Sequence, residues 1–242
     1  MQYAWFLWSA GLLAIWFVVY AMLPTRAQRR QLVIVSFWTS LLGITEPIFV
    51  PEYWNPPSLF GLAQSTGFDI ESFMFAFGVG GVSVLYDVFF PQVRHPMSRA
   101  VRHGARHRFH VFALWSGPAT FVLLLLFSDL NPIYSVIAGL AVGSVASILC
   151  RPDLLKKMLF TGPVFFVVYF LYFLSLVLVF PSFVETVWNL QRLSGILFAG
   201  IPLEELVFAL FFGFYWASIY EHASMSVLSP YIAPTRGGRG HA

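Results

Sequence analysis

The chain has 242 residues, of which 58% are hydrophobic and only 10% are charged, and its formal net charge is +3. Soluble domains carry about a quarter charged residues, so this chain has too few charges to cover a water-facing surface. The composition therefore excludes a soluble enzyme, a nucleic-acid-binding domain and a disordered regulator. The single cysteine, Cys150, excludes a disulfide scaffold.

Seven apolar stretches are long enough to cross a bilayer, for which a helix needs about 20 mostly apolar residues. They cover roughly residues 3–23, 31–50, 68–90, 109–128, 132–149, 158–180 and 199–222. The first has no basic segment before it and no small-residue cleavage site after it, which favours a true span over a signal peptide. We predict an all-α, polytopic membrane protein.

The basic residues predict the orientation of these spans. With seven spans, 13 of the 14 Lys and Arg residues fall in segments on one side of the membrane, and only Arg192 falls on the other. The positive-inside rule then places the N-terminus outside and the C-terminus in the cytoplasm. We predict a multi-pass protein of the plasma membrane.

The basic loop between spans three and four also contains four of the six histidines, His95, His103, His107 and His110. Their spacing does not form a tight metal-ligand motif, so we predict no metal site in this loop. Cys150 is expected to be a small buried residue at a helix end.

The chain contains an internal repeat. A shift of 134 residues aligns 47–87 with 181–221 and gives ten identities in 41 positions, where about three are expected for so biased a composition. The repeat predicts two parallel three-helix units joined by a linker helix, a 3+1+3 arrangement. Its segments are 1–92 (first repeat), 93–131 (basic loop and linker helix), 132–228 (second repeat) and 229–242 (cytoplasmic tail). Sites in such proteins lie at the repeat interface.

Acidic residues inside membrane spans are costly and are usually functional. Five lie within or at the ends of spans and have no basic residue nearby in sequence: Glu46, Asp69, Glu71, Glu204 and Glu205. Proline and acids suit the first turn of a helix, so Pro202 and one glutamate could be explained by helix initiation alone. Two adjacent carboxyls in apolar sequence favour function, and they point about 100° apart. Without a cation such a group favours the protonated form and can donate a proton.

The stretch Pro202-Leu203-Glu204-Glu205 resembles the Pro-x-Glu-Glu/Asp motif of the membrane lycopene cyclases. Those proteins occur as two short subunits, as one fused chain or as a domain of fungal enzymes. The Pro-Glu-Tyr-Trp-Asn-Pro-Pro segment at 51–57 and the helix over 68–87 resemble the first half of that family. The first half departs from the motif, because Phe68 and Ile70 stand where the second half has Pro202 and Glu204.

The resemblance implies a redox-neutral cyclisation of the linear end group of a carotenoid, without a cofactor or a metal. Glu204 and Glu205 would be acid and base, with Glu71 in support and with Glu46 and Asp69 as further candidates. Side chains of both halves would contact the substrate and its carbocation; these are Trp54, Asn55, Trp188, Asn189, Phe75, Phe77, Phe208, Phe211, Tyr86 and Tyr220.

The implied partners are a carotenoid or isoprenoid substrate, the lipid bilayer and other carotenoid biosynthetic enzymes, but not nucleic acid. Two alternatives remain: a cyclase of another polyprenyl or terpenoid substrate, and a SWEET-like 3+1+3 transporter of small molecules. The apolar midplane disfavours the transporter. A retinal protein is excluded because the last lysine, Lys157, lies before the last span. Gly78, Gly80 and Gly81 predict close helix packing and not a dinucleotide loop.

Overall fold

The computed structural model describes residues 3–102 and 104–231, without the side chains of residues 105 and 106. His103, Arg236, Arg239 and most of the tail predicted at 229–242 lie outside the described residues, as does the side chain of Arg106.

Seven helical segments of the described chain are long and apolar enough to cross a membrane. They are Ala4–Met22, Arg26–Phe49, Ile70–Phe89, His107–Phe127, Pro132–Cys150, Pro152–Val179 and Leu203–Ser224. The predicted helical class and the predicted number of spans are therefore confirmed.

The spans are built from α-helices and short 3-10 segments. The α-helices are α1 (Ala4–Met22), α2 (Arg26–Ser40), α3 (Glu46–Phe49), α4 (Leu62–Thr66), α5 (Ile70–Val79), α6 (Leu85–Phe89), α7 (Arg99–Arg102), α8 (His110–Phe127), α9 (Pro132–Cys150), α10 (Leu155–Val179), α11 (Phe183–Val187) and α12 (Leu203–Ser224). The 3-10 segments are Leu41–Thr45, Leu59–Gly61, Gly80–Val84, Ala105–Phe109, Pro152–Leu154 and Leu190–Arg192. The described chain also contains four short strands, β1 (Gln92–Pro96), β2 (Leu197–Phe198), β3 (Ile201–Pro202) and β4 (Ser226–Pro230).

Local capping explains where several helices begin. Thr25 and Gln28 form a capping box at the start of α2, and the Asp69 side chain accepts from the backbone N–H of Ser72 at the start of α5. Each cap satisfies a backbone donor that the first helical turn leaves unpaired. Before α12 the chain instead forms the β2–β3 hairpin, so this helix begins at Leu203, later than the sequence predicts.

The glycines of the third span allow close packing, as predicted. A Cβ atom added at Gly80 would lie 2.5 Å from the Cα atom of Ser36 in α2, and one at Gly78 would lie 2.7 Å from Leu12 in α1. Since real Cβ atoms do not approach so closely, the third span can pack against both helices only with glycine at these positions.

Residues related by the shift of 134 meet each other at one end of the bundle. Trp54 pairs with Trp188 in an isolated antiparallel bridge. The backbone N–H of Asn55 donates to Val187 O at 2.8 Å, and the N–H of Asn189 donates to Tyr53 O at 2.9 Å. The two bonds are related by the same shift, which is the pattern that a twofold arrangement of the two halves would give.

The opposite end shows a second pairing of the same kind. Strands β1 and β4 are antiparallel, and Arg94 lies opposite Leu228, its partner under the shift of 134. The Arg94 guanidinium bridges Asp87 at 2.6 Å and Glu221 at 2.7 Å, and Lys157 also pairs with Glu221 at 2.9 Å. These ion pairs therefore connect the two halves at this end of the bundle.

Candidate active site

A cavity of about 470 Å³ lies between the helices near the Trp54–Trp188 bridge. Residues from all seven described spans line it, and most of them are aromatic or aliphatic. Its lining includes two carboxyl groups, those of Glu205 and Glu46. A large apolar pocket with a few convergent polar groups is the usual form of a small-molecule site.

Glu205 lies in the first turn of α12, is only 5% exposed and has three hydrogen-bond donors. The Tyr53 hydroxyl donates to Oε1 at 2.5 Å, and the Trp188 indole N–H donates to the same oxygen at 3.1 Å. The Tyr169 hydroxyl donates to Oε2 at 2.5 Å. All three donors are neutral, and none of the described residues that line the cavity is a cation.

Tyr53 belongs to the segment between spans two and three. Burial, together with the adjacent Glu205 carboxylate, raises the pKa of Tyr53 well above its usual value. The phenol therefore keeps its proton at neutral pH and stays available as a donor.

Glu204 points away from the cavity although it is adjacent to Glu205. Its Oε1 accepts from the Tyr134 hydroxyl at 2.7 Å and from the backbone N–H of Ser194 at 2.8 Å. It does not line the cavity. Glu204 therefore joins α12 to α9 and to the loop before β2, while Glu205 faces the site, as the turn of about 100° between neighbouring helical residues requires.

Glu71 resembles Glu204 in its contacts. It is fully buried, and its Oε1 accepts from the backbone N–H of Leu59 at 2.7 Å. The N-caps of α5 and α12, Asp69 and Pro202, are related by a shift of 133. Counted from the helix starts, Glu71 therefore corresponds to Glu204, and Ser72 corresponds to Glu205. The shift of 134, which pairs Glu71 with Glu205, does not describe this helical turn.

The change of register has a physical reason. The third span contains the 3-10 segment Gly80–Val84, whereas α12 is a continuous α-helix. A 3-10 helix rises about 2.0 Å per residue against 1.5 Å for an α-helix, so the third span needs about one residue fewer to cross the same distance. The shift consequently returns to 134 at Asp87 and Glu221, which share Arg94.

The other two predicted acids lie on the first-half side of the site. Glu46 lines the cavity near the side chains of Ser72 and Trp54, and its Oε1 has no hydrogen-bond partner among the described residues. Asp69 caps α5 and does not line the cavity. Burial raises the pKa of Asp69 above its ordinary range, against the effect of its hydrogen bonds to Ser72.

The predicted substrate-contacting residues divide into three groups. Trp54, Phe75 and Phe208 line the cavity. Trp188 does not line the cavity but contacts two residues that do, Glu205 and Trp54. Asn55 and Asn189 form the backbone bridge. The remaining rings do not line the cavity: Phe77 packs on Trp16, Tyr86 on Phe160 and Phe211 on Phe214, and Tyr220 is likewise absent from the lining.

Sequence reasoning missed the two phenols that hold Glu205. Tyr53 lies directly before Trp54 in the segment 51–57, and the family resemblance of that segment could have identified it. Tyr169 lies in an aromatic-rich span with nothing in its spacing to distinguish it. Phe173, Phe212 and Trp216 were missed for the same reason, although each of them lines the cavity.

Comparison with known proteins gives one match. Residues 131–223 match the family model described as lycopene cyclase. That segment contains Tyr134, Tyr169, Trp188, Glu204 and Glu205, whereas Tyr53 and Glu46 lie outside it. No curated protein and no solved structure matches the chain.

Proposed function

We propose that this chain, whose residues 131–223 match the lycopene cyclase family model, cyclises a carotenoid and that Glu205 is the proton donor. The observation that carries this proposal is a buried carboxyl group that faces an apolar cavity and contacts only neutral hydrogen-bond donors. A carboxyl group that an apolar site keeps neutral is available as a proton donor at neutral pH.

The reaction is balanced without an oxidant or a reductant. The Glu205 proton adds to the terminal double bond of the linear end group and leaves a tertiary carbocation. An internal double bond attacks this cation, which closes a six-membered ring and moves the charge into the ring. A base then removes a ring proton, so that one proton enters, one proton leaves, and substrate and product are isomers.

The hydrogen bonds of Glu205 indicate which oxygen carries the proton. Oε1 accepts both from the Trp188 indole, which can only donate, and from the Tyr53 hydroxyl, so both of its lone pairs are occupied. The transferable proton would therefore lie on Oε2, where the Tyr169 hydroxyl can either donate or accept. After transfer, the three donors would stabilise the new carboxylate, since hydrogen bonds to ionised groups are stronger than neutral ones.

Glu46 is the best-placed base. It lines the same cavity from the opposite half, and its Oε1 has no hydrogen-bond partner among the described residues. The paired indoles connect the two acids, because Trp188 donates to Glu205 and Trp54 lies beside Glu46, with their ring centroids 5.3 Å apart. In this arrangement Glu204, Glu71 and Asp69 support the helix starts and do not contact the substrate.

The lining suits a hydrocarbon cation. Rings from both halves, including Phe75, Tyr169 and Phe208, face the cavity, and each aromatic face near a cation contributes about 0.5–2 kcal/mol. Exclusion of water from such a cavity prevents capture of the carbocation as an alcohol.

The cavity also reaches the lipid-facing surface. Leu42 of the second span and Val122 of the fourth line it, yet they are 42% and 49% exposed on the outside of the bundle. We infer that an end group enters between these two spans directly from the bilayer. A volume of about 470 Å³ is within the usual range for a site that encloses one small ligand, and the rest of the long substrate would stay in lipid.

For the membrane orientation we propose that the Arg94 end faces the cytoplasm and the Glu205 end faces outward in the plasma membrane. If the chain crosses the membrane seven times, 13 of the 14 basic residues lie in segments on the same side as Arg94, and the positive-inside rule places that side in the cytoplasm. Reporter fusions at the C-terminus and at Arg192, active only on one side of the membrane, test this orientation. An external C-terminus would contradict it.

Expression in a lycopene-accumulating bacterial host tests the function. Wild-type protein should convert lycopene to ring-containing products that pigment chromatography resolves, and Glu205→Gln should leave lycopene unchanged. Glu185→Gln is the matched control, since Glu185 is an exposed glutamate of the short helix α11 in the same half. Membrane-inserted wild-type protein that leaves lycopene intact would remove lycopene as the substrate, and an active Glu205→Gln would refute the acid.

A further inference from the structure

Three metal-ligating side chains converge at the end of the bundle away from Glu205. The ligand atoms of His107, His110 and Cys150 all lie within 4.8 Å of one another. Cys150 Sγ is 3.6 Å from His107 Nδ1 and 3.5 Å from His110 Nδ1. The two histidines begin the fourth span, and the cysteine ends α9.

The two sulfur-to-nitrogen separations agree with the geometry of tetrahedral zinc. Bonds of about 2.3 Å to sulfur and about 2.0–2.1 Å to nitrogen at the tetrahedral angle place the two ligand atoms about 3.5 Å apart. Both sulfur-to-nitrogen distances have that value. One thiolate and two imidazoles also form a ligand set that zinc prefers.

A fourth residue next to the cluster is an independent indication. His222 of α12 is fully buried, and its ring centroid lies 4.5 Å from that of His110. Its Nδ1 contacts the Ser147 hydroxyl at 3.3 Å, but its Nε2 has no hydrogen-bond partner among the described residues. A buried imidazole nitrogen without a partner is costly unless something else satisfies it, and a metal or its bound water next to His110 would do so.

The surroundings give access and balance the charge. A cavity of about 820 Å³ is lined by His107, Cys150 and Asp153 and provides an entry path and room for a water ligand. The nearby Arg151 guanidinium is paired with Asp153 at 2.7 Å, so an opposite charge compensates the cation that would otherwise repel a metal ion.

We propose that His107, His110 and Cys150 bind one Zn²⁺ ion, with a water molecule in the fourth position. Binding releases the thiol proton of Cys150 to solvent and leaves a thiolate on the metal, with no change of oxidation state. The ion would fasten the start of the fourth span to the end of the fifth. This site is independent of the proposed chemistry at Glu205, because α9 separates Cys150 from Tyr134 by 16 residues, or roughly 24 Å.

The sequence predicted no metal site in the histidine loop because the third ligand lies 40 residues beyond His110. Only the packing of the fourth span against α9 brings Cys150 to the histidines. A pair of histidines three residues apart is by itself too common to indicate a metal.

Cobalt titration of the full-length protein in detergent tests the site. Co²⁺ bound by a thiolate and two imidazoles should give a thiolate-to-cobalt charge-transfer band in the near ultraviolet and the visible bands of tetrahedral cobalt, and Zn²⁺ should abolish both. Cys150→Ser should lose the charge-transfer band. His107→Ala should bind at least about 10- to 100-fold more weakly, the loss typical of damage to a metal site.

The control is His95→Ala, since His95 lies in β1 and bonds to Ser229 at 2.9 Å outside the cluster. This variant should bind cobalt as the wild type does. If wild-type protein shows no cobalt bands, or if Cys150→Ser and His95→Ala titrate alike, there is no site. Should Cys150→Ser fail to fold, the wild-type charge-transfer band and its competition by Zn²⁺ decide the matter alone.

Discussion

The two ends of the bundle treat buried carboxyl groups in opposite ways. At the Arg94 end, Glu221 contacts two cations, with Lys157 at 2.9 Å and Arg94 at 2.7 Å, and Asp87 contacts Arg94 at 2.6 Å. Burial by itself would lower the pKa of Arg94. The adjacent Glu221 and Asp87 carboxylates raise it by more, so the pKa lies above its usual value and Arg94 stays charged. At the other end, Glu205 contacts two phenols and an indole, and none of them is charged.

The difference shows how the same residue type serves two purposes. A carboxylate between buried cations cannot take up a proton without leaving those cations unpaired, which is strongly unfavourable. A carboxyl group among neutral donors can gain or lose a proton without leaving a buried cation unpaired, and its donors stabilise the carboxylate that forms. The first arrangement suits a structural clamp between the two halves, and the second suits acid catalysis.

The largest effect is expected from Glu205→Gln. An amide keeps the hydrogen bonds to the two phenols but cannot deliver a proton, so cyclisation should fall by about 10²- to 10⁴-fold, the usual contribution of a general acid. Pigment analysis measures the activity, and thermal unfolding in detergent should show little change. A large loss of stability would instead mean that Glu205 belongs with the structural carboxylates.

Glu221→Gln should instead cause a large loss of stability. It leaves the buried ammonium of Lys157 with uncharged acceptors alone among its present contacts, the Ser83 carbonyl and the new amide oxygen, and breaking a buried ion pair costs about 3–5 kcal/mol. The free energy of unfolding in detergent is the measurement. The double variant Glu221→Gln with Lys157→Met should recover part of the loss, and a double variant no more stable than Glu221→Gln would argue against the ion pair.

Tyr169→Phe should have an intermediate effect on activity. It removes the only hydroxyl on Glu205 Oε2 among the described residues, and a hydrogen bond to a charged group contributes about 1.5–3 kcal/mol, or roughly 10- to 100-fold in rate. Tyr134→Phe is the matched control, because its hydroxyl contacts Glu204 instead. Equal losses in the two variants would show that the phenols act only through folding.

The smallest effects are expected from Glu204→Gln and Glu71→Gln. In each case the amide oxygen can still accept from the backbone N–H of Ser194 or Leu59, so stability should fall by about 0.5–1.5 kcal/mol. Ring formation should continue within a few-fold of wild type. Complete loss of activity in Glu204→Gln would mean that both adjacent glutamates are catalytic, as the sequence suggested.

The sequence was a good guide to features that depend on local composition. The seven spans follow from apolar runs that no tertiary contact is needed to recognise, and all seven were found. The acids could be selected because carboxyl groups are rare in such runs. The repeat of 134 residues aligned Trp54 with Trp188, and these two residues meet in the structure. Arg94 and Leu228, which lie beyond the aligned segments, pair under the same shift.

The tertiary structure alone decided which of those residues share a site. A one-residue change of register turns a helical side chain by about 100°, so only the fold shows that Glu205 faces the cavity and that Glu71 corresponds to Glu204. Tyr53 and Tyr169 lie 152 and 36 residues from Glu205, and Cys150 lies 40 from His110. A sequence pattern records how apolar each helix is, but it does not record which helix faces which, and the chemistry of this protein depends on that packing.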